Sequence, residues 1–269
     1  MKVGYDVVGN IAILKFTRDV RQSEKKKFAL GYLAKHRSVS TVLEKTSGFS
    51  GRLRTLKTKW LAGERTKEAL YKENGCEFRF NVETCYFSPR LSEERKMLAS
   101  FVKPEEKVLV MFGGVAPFGI VIGKRMKEKV GRRKKIGKVV SVELGRECSK
   151  YALQNVKRNK LEGVIEIVQG DVRRVIGKGK KVSERFDRIV MTRPQLKDSF
   201  LDVAFSVCKK GSVIHYYGFC KEEELTSLKN LIIEESRKIR RRVKIMRVSR
   251  AGDIGPYRWR YRIDIKVLD

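Results

Sequence analysis

The stretch from Lys107 to Glu143 constrains the fold of this chain more than any other part of the sequence. It contains an apolar strand over residues 108–111, a small-residue turn with Gly113 and Gly114, a helical run, and a second strand ending at Glu143. This order is typical of the nucleotide-binding half of an open α/β sheet. Glycine lets the main chain approach a ligand where a Cβ atom would collide, and a carboxylate at the strand end can accept hydrogen bonds from both ribose hydroxyls.

The glycine turn does not have the spacing of a dinucleotide or nucleoside triphosphate site. Neither G-x-G-x-x-G nor G-x-x-x-x-G-K-[ST] occurs in the sequence, so a pyrophosphate cradle is not predicted. A short glycine turn followed by an acid at the next strand end suits an adenosine without phosphates, and S-adenosylmethionine is such a ligand. The turn by itself leaves a plain structural turn open as the alternative.

Composition narrows the class of protein. With 269 residues and a hydrophobic content of 41%, the chain can form one large or two modest domains. We expect no membrane span, because no run of about 18 apolar residues occurs. Histidine occurs only at His36 and His215, and the five cysteines form no C-x-x-C pair. We therefore expect no metal site, and free thiols in a cytoplasmic protein.

The net charge indicates the partner. Lysine and arginine number 62 against 31 aspartates and glutamates, which gives a formal net charge of +31. So many positive charges repel one another, and a polyanionic partner explains the excess most easily. A lysine-rich proteome is the alternative explanation. Because the basic residues are spread along the chain among ordinary core patterns, we favour a broad nucleic-acid footprint.

The first part of the chain predicts a small mixed α/β domain over residues 1–85. Alternating apolar residues predict strands at 10–16 and 41–45, and a helix is predicted over 23–36. Asn74-Gly75 between two apolar runs predicts a β-hairpin over residues 70–82. Residues 86–103 are expected to form a connecting loop and helix.

Residues 104–269 alternate between strands and helices, which predicts a mostly parallel sheet with an antiparallel pair at one edge. After the glycine turn, further strands are predicted at 164–168, 186–191 and 212–217, with helices at 147–159, 196–208 and 222–242. Two last strands within 243–267 are expected to be separated by a loop at 252–256.

Seven short blocks occur in order along nearly the whole chain. They read YDVVG at 5–9, LAGE at 61–64, YFSPRL at 86–91 with ER at 94–95, MFGGV at 111–115 with PF at 117–118, NKLE at 159–162, DVR at 171–173 and GSVIHYY at 211–217. Together they resemble the archaeal and eukaryotic type of tRNA (guanine-37-N1)-methyltransferase. The resemblance implies a Rossmann-like class I methyltransferase domain over residues 104–269, preceded by the smaller domain, which would position tRNA. An extra N-terminal domain, with which some members grip the outer corner of tRNA, is expected to be absent.

The family transfers the methyl group of S-adenosylmethionine to a guanine nitrogen beside the anticodon. The N1 proton must leave, and a carboxylate can take it. Negative charge then develops on O6, where a cation lowers the barrier, and the methyl carbon must lie in line with N1. By resemblance, Glu94 is the general base and Arg54 meets O6. Thr192 and Pro194 belong to the motif that helps to hold the target base.

The resemblance also implies a cofactor pocket. Glu143 would hold the ribose hydroxyls, and Arg95 would reach the methionine carboxylate. The other implied cofactor contacts are Phe112, Gly114, Val115 and Pro117 against methionine and ribose, Leu144 against adenine, and Asp171 and Val172 at the adenine edge. For the apolar members of this set, ordinary core packing is the alternative.

Two departures from the family pattern are expected to fall at the active cleft. Val110 stands where the family has aspartate, and Thr192-Arg193-Pro194 stands where it has Asn-Leu-Pro or Asn-Pro-Pro. The leading hypothesis is a cytoplasmic, monomeric methyltransferase acting on the anticodon stem-loop of tRNA. The alternatives are the related wyosine-pathway aminocarboxypropyl transferase, which lacks that asparagine, and a tRNA-binding protein that has lost turnover.

Overall fold

The computed structural model describes residues 3–130, 135–192 and 195–269. Near the N-terminus, four described strands form a sheet of order β1-β2-β3-β4, in which β2 and β3 are parallel and the outer pairs antiparallel. A parallel pair needs a crossover, and helix α1 supplies it. The bounds are β1 Gly4–Val8, β2 Ile11–Lys15, α1 Gln22–Lys35, β3 Thr41–Lys45 and β4 Thr58–Gly63. The smaller mixed α/β unit is thus present; β1 and β4 were not predicted as strands.

The larger sheet has seven strands within the described residues, in the order β12-β13-β11-β10-β7-β8-β9. The strands from β11 to β9 pair in parallel, and β13 is antiparallel to both β11 and β12. This confirms the mostly parallel sheet with an antiparallel edge. Its strands are β7 Lys107–Met111, β8 Lys138–Glu143, β9 Ile165–Gln169, β10 Phe186–Met191, β11 Cys208–Cys220, β12 Val243–Gly255 and β13 Arg258–Val267.

Helices cover both faces of this sheet, and β7 is buried from Val108 to Met111 as a central parallel strand should be. Its side chains alternate between two clusters. Val108 and Val110 pack with residues of the helices α2 to α4, whereas Leu109 and Met111 pack with residues of α6 and α7. The helices are α2 Ser92–Ser100, preceded by a 3₁₀ turn at Pro89–Leu91, α3 Pro117–Lys129, α4 Arg146–Arg158, α5 Val172–Val175, α6 Leu201–Ser206 and α7 Leu225–Lys238.

The predicted hairpin is confirmed, as β5 Glu68–Glu73 and β6 Cys76–Asn81 joined by Asn74 and Gly75, which both have positive φ. Its strand β6 docks on α4 and on the residue that follows it. Asn155 accepts a hydrogen bond from the Arg79 N–H (2.8 Å), and Asn159 accepts one from the Glu77 N–H (2.9 Å). The hairpin therefore lies against the larger sheet's helices, and the predicted division at residue 85 stays a prediction.

Two predicted boundaries are wrong. The helix expected over 196–208 is α6 alone, because Phe200 takes a left-handed φ of 58° and Cys208 already begins β11. The loop expected at 252–256 is mostly strand. Strand β12 continues through bulges to Gly255, and only Pro256 and Tyr257 separate it from β13. Among the described helices, none has the length and apolar character needed to cross a bilayer.

Candidate active site

A cavity of about 150 Å³ lies where the parallel strands of the larger sheet end. Its wall is formed by residues that follow four neighbouring strands: the turn at Phe112 after β7, Leu144 after β8, Val172 after β9, and Thr192 after β10. Tyr217 on β11 completes that side. Ligands of open α/β sheets bind at this edge, outside the carboxyl ends of the strands.

The glycine turn is held tightly against β8. The Gly113 N–H donates to the Val142 carbonyl (2.9 Å), and a Cβ atom on Gly113 would stand 2.1 Å from the Ser141 hydroxyl oxygen. The next residue, Gly114, has a φ of +57° and directs its N–H at the Glu143 carboxylate (2.8 Å). Glycine at 113 is therefore required by packing, and the turn opens a space that side chains do not fill.

Glu143 is anchored by the main chain. Its two oxygens accept hydrogen bonds from the N–H groups of Gly114 (2.8 Å) and Gly145 (2.6 Å). Burial raises the pKa of Glu143, and these hydrogen bonds oppose that rise because they favour the charged form. A carboxylate has about four acceptor positions, so its main-chain hydrogen bonds leave Glu143 with acceptor capacity for a ligand. The geometry fits an adenosine ribose with its two hydroxyls.

Most residues expected at the cofactor lie in the wall of this cavity, and their roles stay predictions. Val115 does not: its side chain is fully buried in the core, and its carbonyl accepts from the Asn155 amide (3.3 Å). The predicted cofactor residues that line the cavity are Arg95, Phe112, Gly114, Pro117, Glu143, Leu144, Asp171 and Val172.

Arg95 lies in the cavity wall, and a neighbouring carboxylate neutralises its positive charge. Its guanidinium forms a two-pronged ion pair with the carboxylate of Glu73, and both side chains are buried. It also donates to the Ser88 carbonyl (3.0 Å). An anion at this wall would meet a neutralised arginine, so the predicted contact with a methionine carboxylate would compete with Glu73.

Arg54 is held differently. Its guanidinium lies 4.2 Å from the centre of the Tyr86 ring and 5.5 Å from that of Phe49. Its backbone has a φ of 52°, a left-handed conformation that costs a non-glycine residue energy. Its buried Nε has no hydrogen-bond acceptor among the described residues. The two rings thus fix the guanidinium of Arg54 at the wall of the cavity.

A second cavity, of about 750 Å³, adjoins the first. It lies between strand β1, the segment from Cys85 to Leu91, and the tip of the β12–β13 hairpin at residues 251–255. Both cavities are lined by Arg54 and by Arg260 of β13. Arg260 stacks over Phe219 (5.3 Å) and has no ion pair with a carboxylate among the described residues. Sequence reasoning missed Arg260, because nothing in its neighbourhood distinguishes it from other surface arginines.

The predicted general base lies behind the cavity wall. Glu94 is only 8% exposed and lies outside the described lining of both cavities. One of its oxygens accepts hydrogen bonds from the Tyr217 hydroxyl (2.6 Å) and from Arg262 (2.7 Å). Tyr217 itself lines the first cavity. The structure therefore brings Glu94 one side chain away from the cavity, and its role as base stays a prediction.

Of the two departures from the family pattern, one lies in the cavity wall and the other does not. Thr192 lines the first cavity, and its hydroxyl lies within hydrogen-bond distance of the carbonyls of Met111 (3.1 Å) and Phe112 (3.0 Å). The expectation that Val110 lies at the cleft is wrong. Its side chain is fully buried in the core between the sheet and the helices α2 to α4. Arg193 and Pro194 lie outside the described residues.

Within the described chain, no cluster of histidine, cysteine, aspartate and glutamate could hold a metal ion.

Two protein-family models match this chain. The TRM5/TYW2 methyltransferase domain matches residues 69–248, and the TYW2 N-terminal domain matches residues 1–66.

The individual relatives include methyltransferases and an aminocarboxypropyltransferase. The chain is 31% identical to the tRNA (guanine(37)-N(1))-methyltransferase Trm5b of Pyrococcus abyssi over 82% of this chain, and it spans only 62% of that protein's length. It is 30% identical to the tRNA (guanine(37)-N(1))/4-demethylwyosine(37)-methyltransferase Taw22 of Nanoarchaeum equitans, over 99% of this chain and all of the relative. The tRNA(Phe) (4-demethylwyosine(37)-C(7)) aminocarboxypropyltransferase of Methanocaldococcus jannaschii is also 30% identical, over 81% of this chain and 78% of its own.

Solved structures agree with the fold. The crystal structure of Pyrococcus abyssi Trm5b superposes with a TM-score of 0.83 at 29% identity, covering 99% of this chain and 75% of that one. The structure of Methanocaldococcus jannaschii Trm5 in complex with adenosine superposes with a TM-score of 0.78 at 25% identity, covering 99% and 74%.

Proposed function

Since the chain belongs to the TRM5/TYW2 methyltransferase family, we propose that it transfers the methyl group of S-adenosylmethionine to N1 of guanine 37 in tRNA. The observation that carries the proposal is the junction of the two cavities. A pocket of about 150 Å³ with the anchored acceptor Glu143 meets a larger cavity at Arg54, which lines both and stacks on two aromatic rings. A methyl donor on one side and a purine on the other would meet at that junction.

The first cavity supports binding of the cofactor. S-adenosylmethionine supplies an electrophilic methyl group on a sulfonium. The free acceptor positions of Glu143 suit its two ribose hydroxyls, and Leu144 and Val172 offer apolar surface to adenine. At Gly114 an added Cβ would meet only the Tyr86 carbonyl oxygen, at 3.8 Å, so the main chain there is open to close approach by a ligand.

The second cavity supports binding of a nucleotide turned out of an RNA loop. Its wall contains the aromatic rings of Phe49 and Tyr86, and unstacked bases commonly stack on such rings. Arg54 already stacks on both rings, and its side chain lines this cavity. We propose that it donates to O6 as negative charge develops there, while Glu94 receives the N1 proton.

The net charge of +31 supports tRNA as the macromolecular partner, with the anticodon stem-loop at the two cavities. The chain spans about three fifths of the Pyrococcus relative, so the substrate is inferred from the site and the family together. Action as a monomer in the cytoplasm is part of the same proposal.

The decisive experiment is mass analysis of a tRNA transcript incubated with the protein and S-adenosylmethionine. We expect the anticodon-loop fragment containing guanine 37 to gain one methyl group, and a transcript with adenine at position 37 to gain none. A fragment of unchanged mass, with tRNA and cofactor still bound, would contradict the proposal and leave an RNA-binding protein.

Aminocarboxypropyl transfer to the same nucleotide is the second candidate. It is favoured by the match of residues 1–66 to the TYW2 N-terminal domain, and by threonine at 192 where the methyltransferases carry asparagine. Both reactions use the same cofactor and partner, and they differ in which carbon attached to sulfur faces the nucleophile. The same mass analysis separates them, with a transcript and a tRNA carrying 4-demethylwyosine as parallel substrates.

A further inference from the structure

Tyr217 connects the cavity to the buried carboxylate of Glu94. The tyrosine lines the first cavity and is 2% exposed, and its hydroxyl donates to Glu94 Oε1 at 2.6 Å. It lies on β11, two residues before Phe219, which lines the same cavity on the same face of the strand. The carboxylate that the reaction needs is therefore reached through a phenol.

Arg262 fixes the position of that carboxylate. It is fully buried on β13, donates from Nη1 to Glu94 (2.7 Å), and donates from Nε to Asp264 (2.8 Å). Its Nη2 has no acceptor among the described residues. Two donors thus converge on one oxygen of Glu94, which orients the second oxygen.

Behind Arg262, the hydrogen bonds fix the charge state of His215. Its Nε2 lies 2.8 Å from Nη1 of Arg188. A guanidinium can only donate, so Nε2 is the acceptor and the ring proton lies on Nδ1, which donates to Asp264 (2.7 Å). Burial lowers the pKa of His215, with Asp264 opposing that shift, so the ring is neutral. Arg188 is in turn paired with Glu106 (2.7 Å).

The buried network carries one carboxylate more than it has cations. The neighbouring pair of Arg95 and Glu73 is neutral and does not change this balance. The members are the carboxylates Glu94, Asp264 and Glu106, the guanidiniums Arg262 and Arg188, and neutral His215. One further proton would bring the network to neutrality, so a proton that reaches Glu94 meets a net negative surrounding charge.

We propose that Tyr217 is the catalytic residue that contacts N1 of the target base and passes its proton to Glu94, with Arg262 as the positioning residue. This rests on the proposed methyl transfer. The N1–H bond breaks as a bond from that hydrogen to the Tyr217 oxygen forms, and the original phenol proton moves to Glu94. The N1 electron pair forms the bond to the methyl carbon, and the carbon–sulfur electrons remain on sulfur as a neutral thioether.

The environment of Tyr217 favours such a concerted transfer. Burial, and then the charge of Glu94, raise the pKa of Tyr217 well above its ordinary value. The phenol therefore does not ionise by itself, and it loses one proton only as it gains another.

The test is Tyr217→Phe, which keeps the ring and its packing against Phe118 and removes only the hydroxyl. We expect the single-turnover rate of methyl transfer to fall by about 100-fold or more, with the Kd values for cofactor and tRNA unchanged. The matched control is Tyr151→Phe. It removes another tyrosine–glutamate hydrogen bond of 2.6 Å, to Glu68, outside the described lining of both cavities, and should leave the rate unchanged.

Two further measurements separate a relay from a structural defect. Glu94→Gln should lose as much rate as Tyr217→Phe, and the double variant should lose no more than either one, because the two groups act as one unit. Between about pH 6 and about pH 9, all three should recover toward the wild-type rate as solvent takes the N1 proton. Arg262→Lys should lower kcat without changing KM for the cofactor.

The outcomes are distinguishable. If the wild-type protein transfers no methyl group, the proposed function fails and the relay with it. If the wild-type protein is active and Tyr217→Phe matches its rate and pH profile, the relay alone is overturned. Additive losses in the double variant, without recovery at high pH, would also overturn it.

Discussion

The two sides of the junction are built in different ways. The adenosine side is local: the turn after β7 and the acid at the end of β8 lie within one strand–helix–strand unit, and main-chain N–H groups hold Glu143. The groups proposed to move the proton are instead assembled from distant segments. The hydrogen bond from Tyr217 to Glu94 joins residues 123 apart in sequence, and that from Arg262 joins residues 168 apart. Binding and chemistry should therefore respond separately to substitution.

Arg54→Ala should give the largest effect and separate the two sides most clearly. We expect kcat to fall by about 100- to 1000-fold, because a donor to developing negative charge is lost, while the Kd for the cofactor stays constant. Single-turnover kinetics and calorimetry measure the two quantities. Arg65→Ala is the control, since Arg65 also stacks on an aromatic ring, Trp60 at 4.8 Å, away from both cavities. A matching loss in the control would make the effect one of general charge.

Glu143→Gln should weaken binding of the cofactor and leave the rate nearly unchanged, the reverse of Arg54→Ala. The Kd for the cofactor should rise by about tenfold to a hundredfold, because a hydrogen bond to a charged acceptor is worth about 1.5–3 kcal/mol. The rate at saturating cofactor should change little. Calorimetric titration with S-adenosylhomocysteine gives the Kd without turnover. An unchanged Kd would mean that the ribose is held elsewhere.

The pH dependence of cofactor binding should report Glu143 as well. The pKa of Glu143 is raised above its ordinary 4.5 by burial, so the ionised acceptor is fully present only above that raised pKa. Affinity should therefore weaken as the pH falls through it, starting at a higher pH than an exposed glutamate would give. Titrations at several pH values on wild-type protein and Glu143→Gln test this, since the variant should lose the dependence. The same dependence in both proteins would assign it to another group.

Arg52→Ala should give the smallest effect. Arg52 joins the loop that carries Arg54 to Asp171 on the adenosine side through an ion pair of 3.1 Å, but its side chain is 60% exposed. Exposed pairs contribute little, so we expect less than about a threefold change in the Kd for the cofactor and in the rate. A larger change in both would show that the two sides are coupled through this loop.

Local signals predicted the local parts of this molecule well. The Asn74-Gly75 hairpin, the buried strand at 186–191 and the glycine turn were all found, because turn chemistry and hydrophobic period depend on near neighbours. The helix at 196–208 was overpredicted, since its apolar positions cannot reveal that Phe200 adopts a left-handed conformation. Val110 was placed at the cleft from a motif, whereas the alternation of side chains along β7 directs it into the core.

The sequence by itself determined the mostly parallel sheet, the glycine turn and the acid that follows it, because strand, turn and helix preferences act over a few residues. The tertiary structure decided which charges are free. Arg95 is neutralised by Glu73, Glu94 stands behind Tyr217, and neither Arg54 nor Arg260 meets a carboxylate in the described chain. Whether an arginine is paired depends on which carboxylate comes within about 4 Å of it. That distance is set by strand register and helix packing across the whole chain.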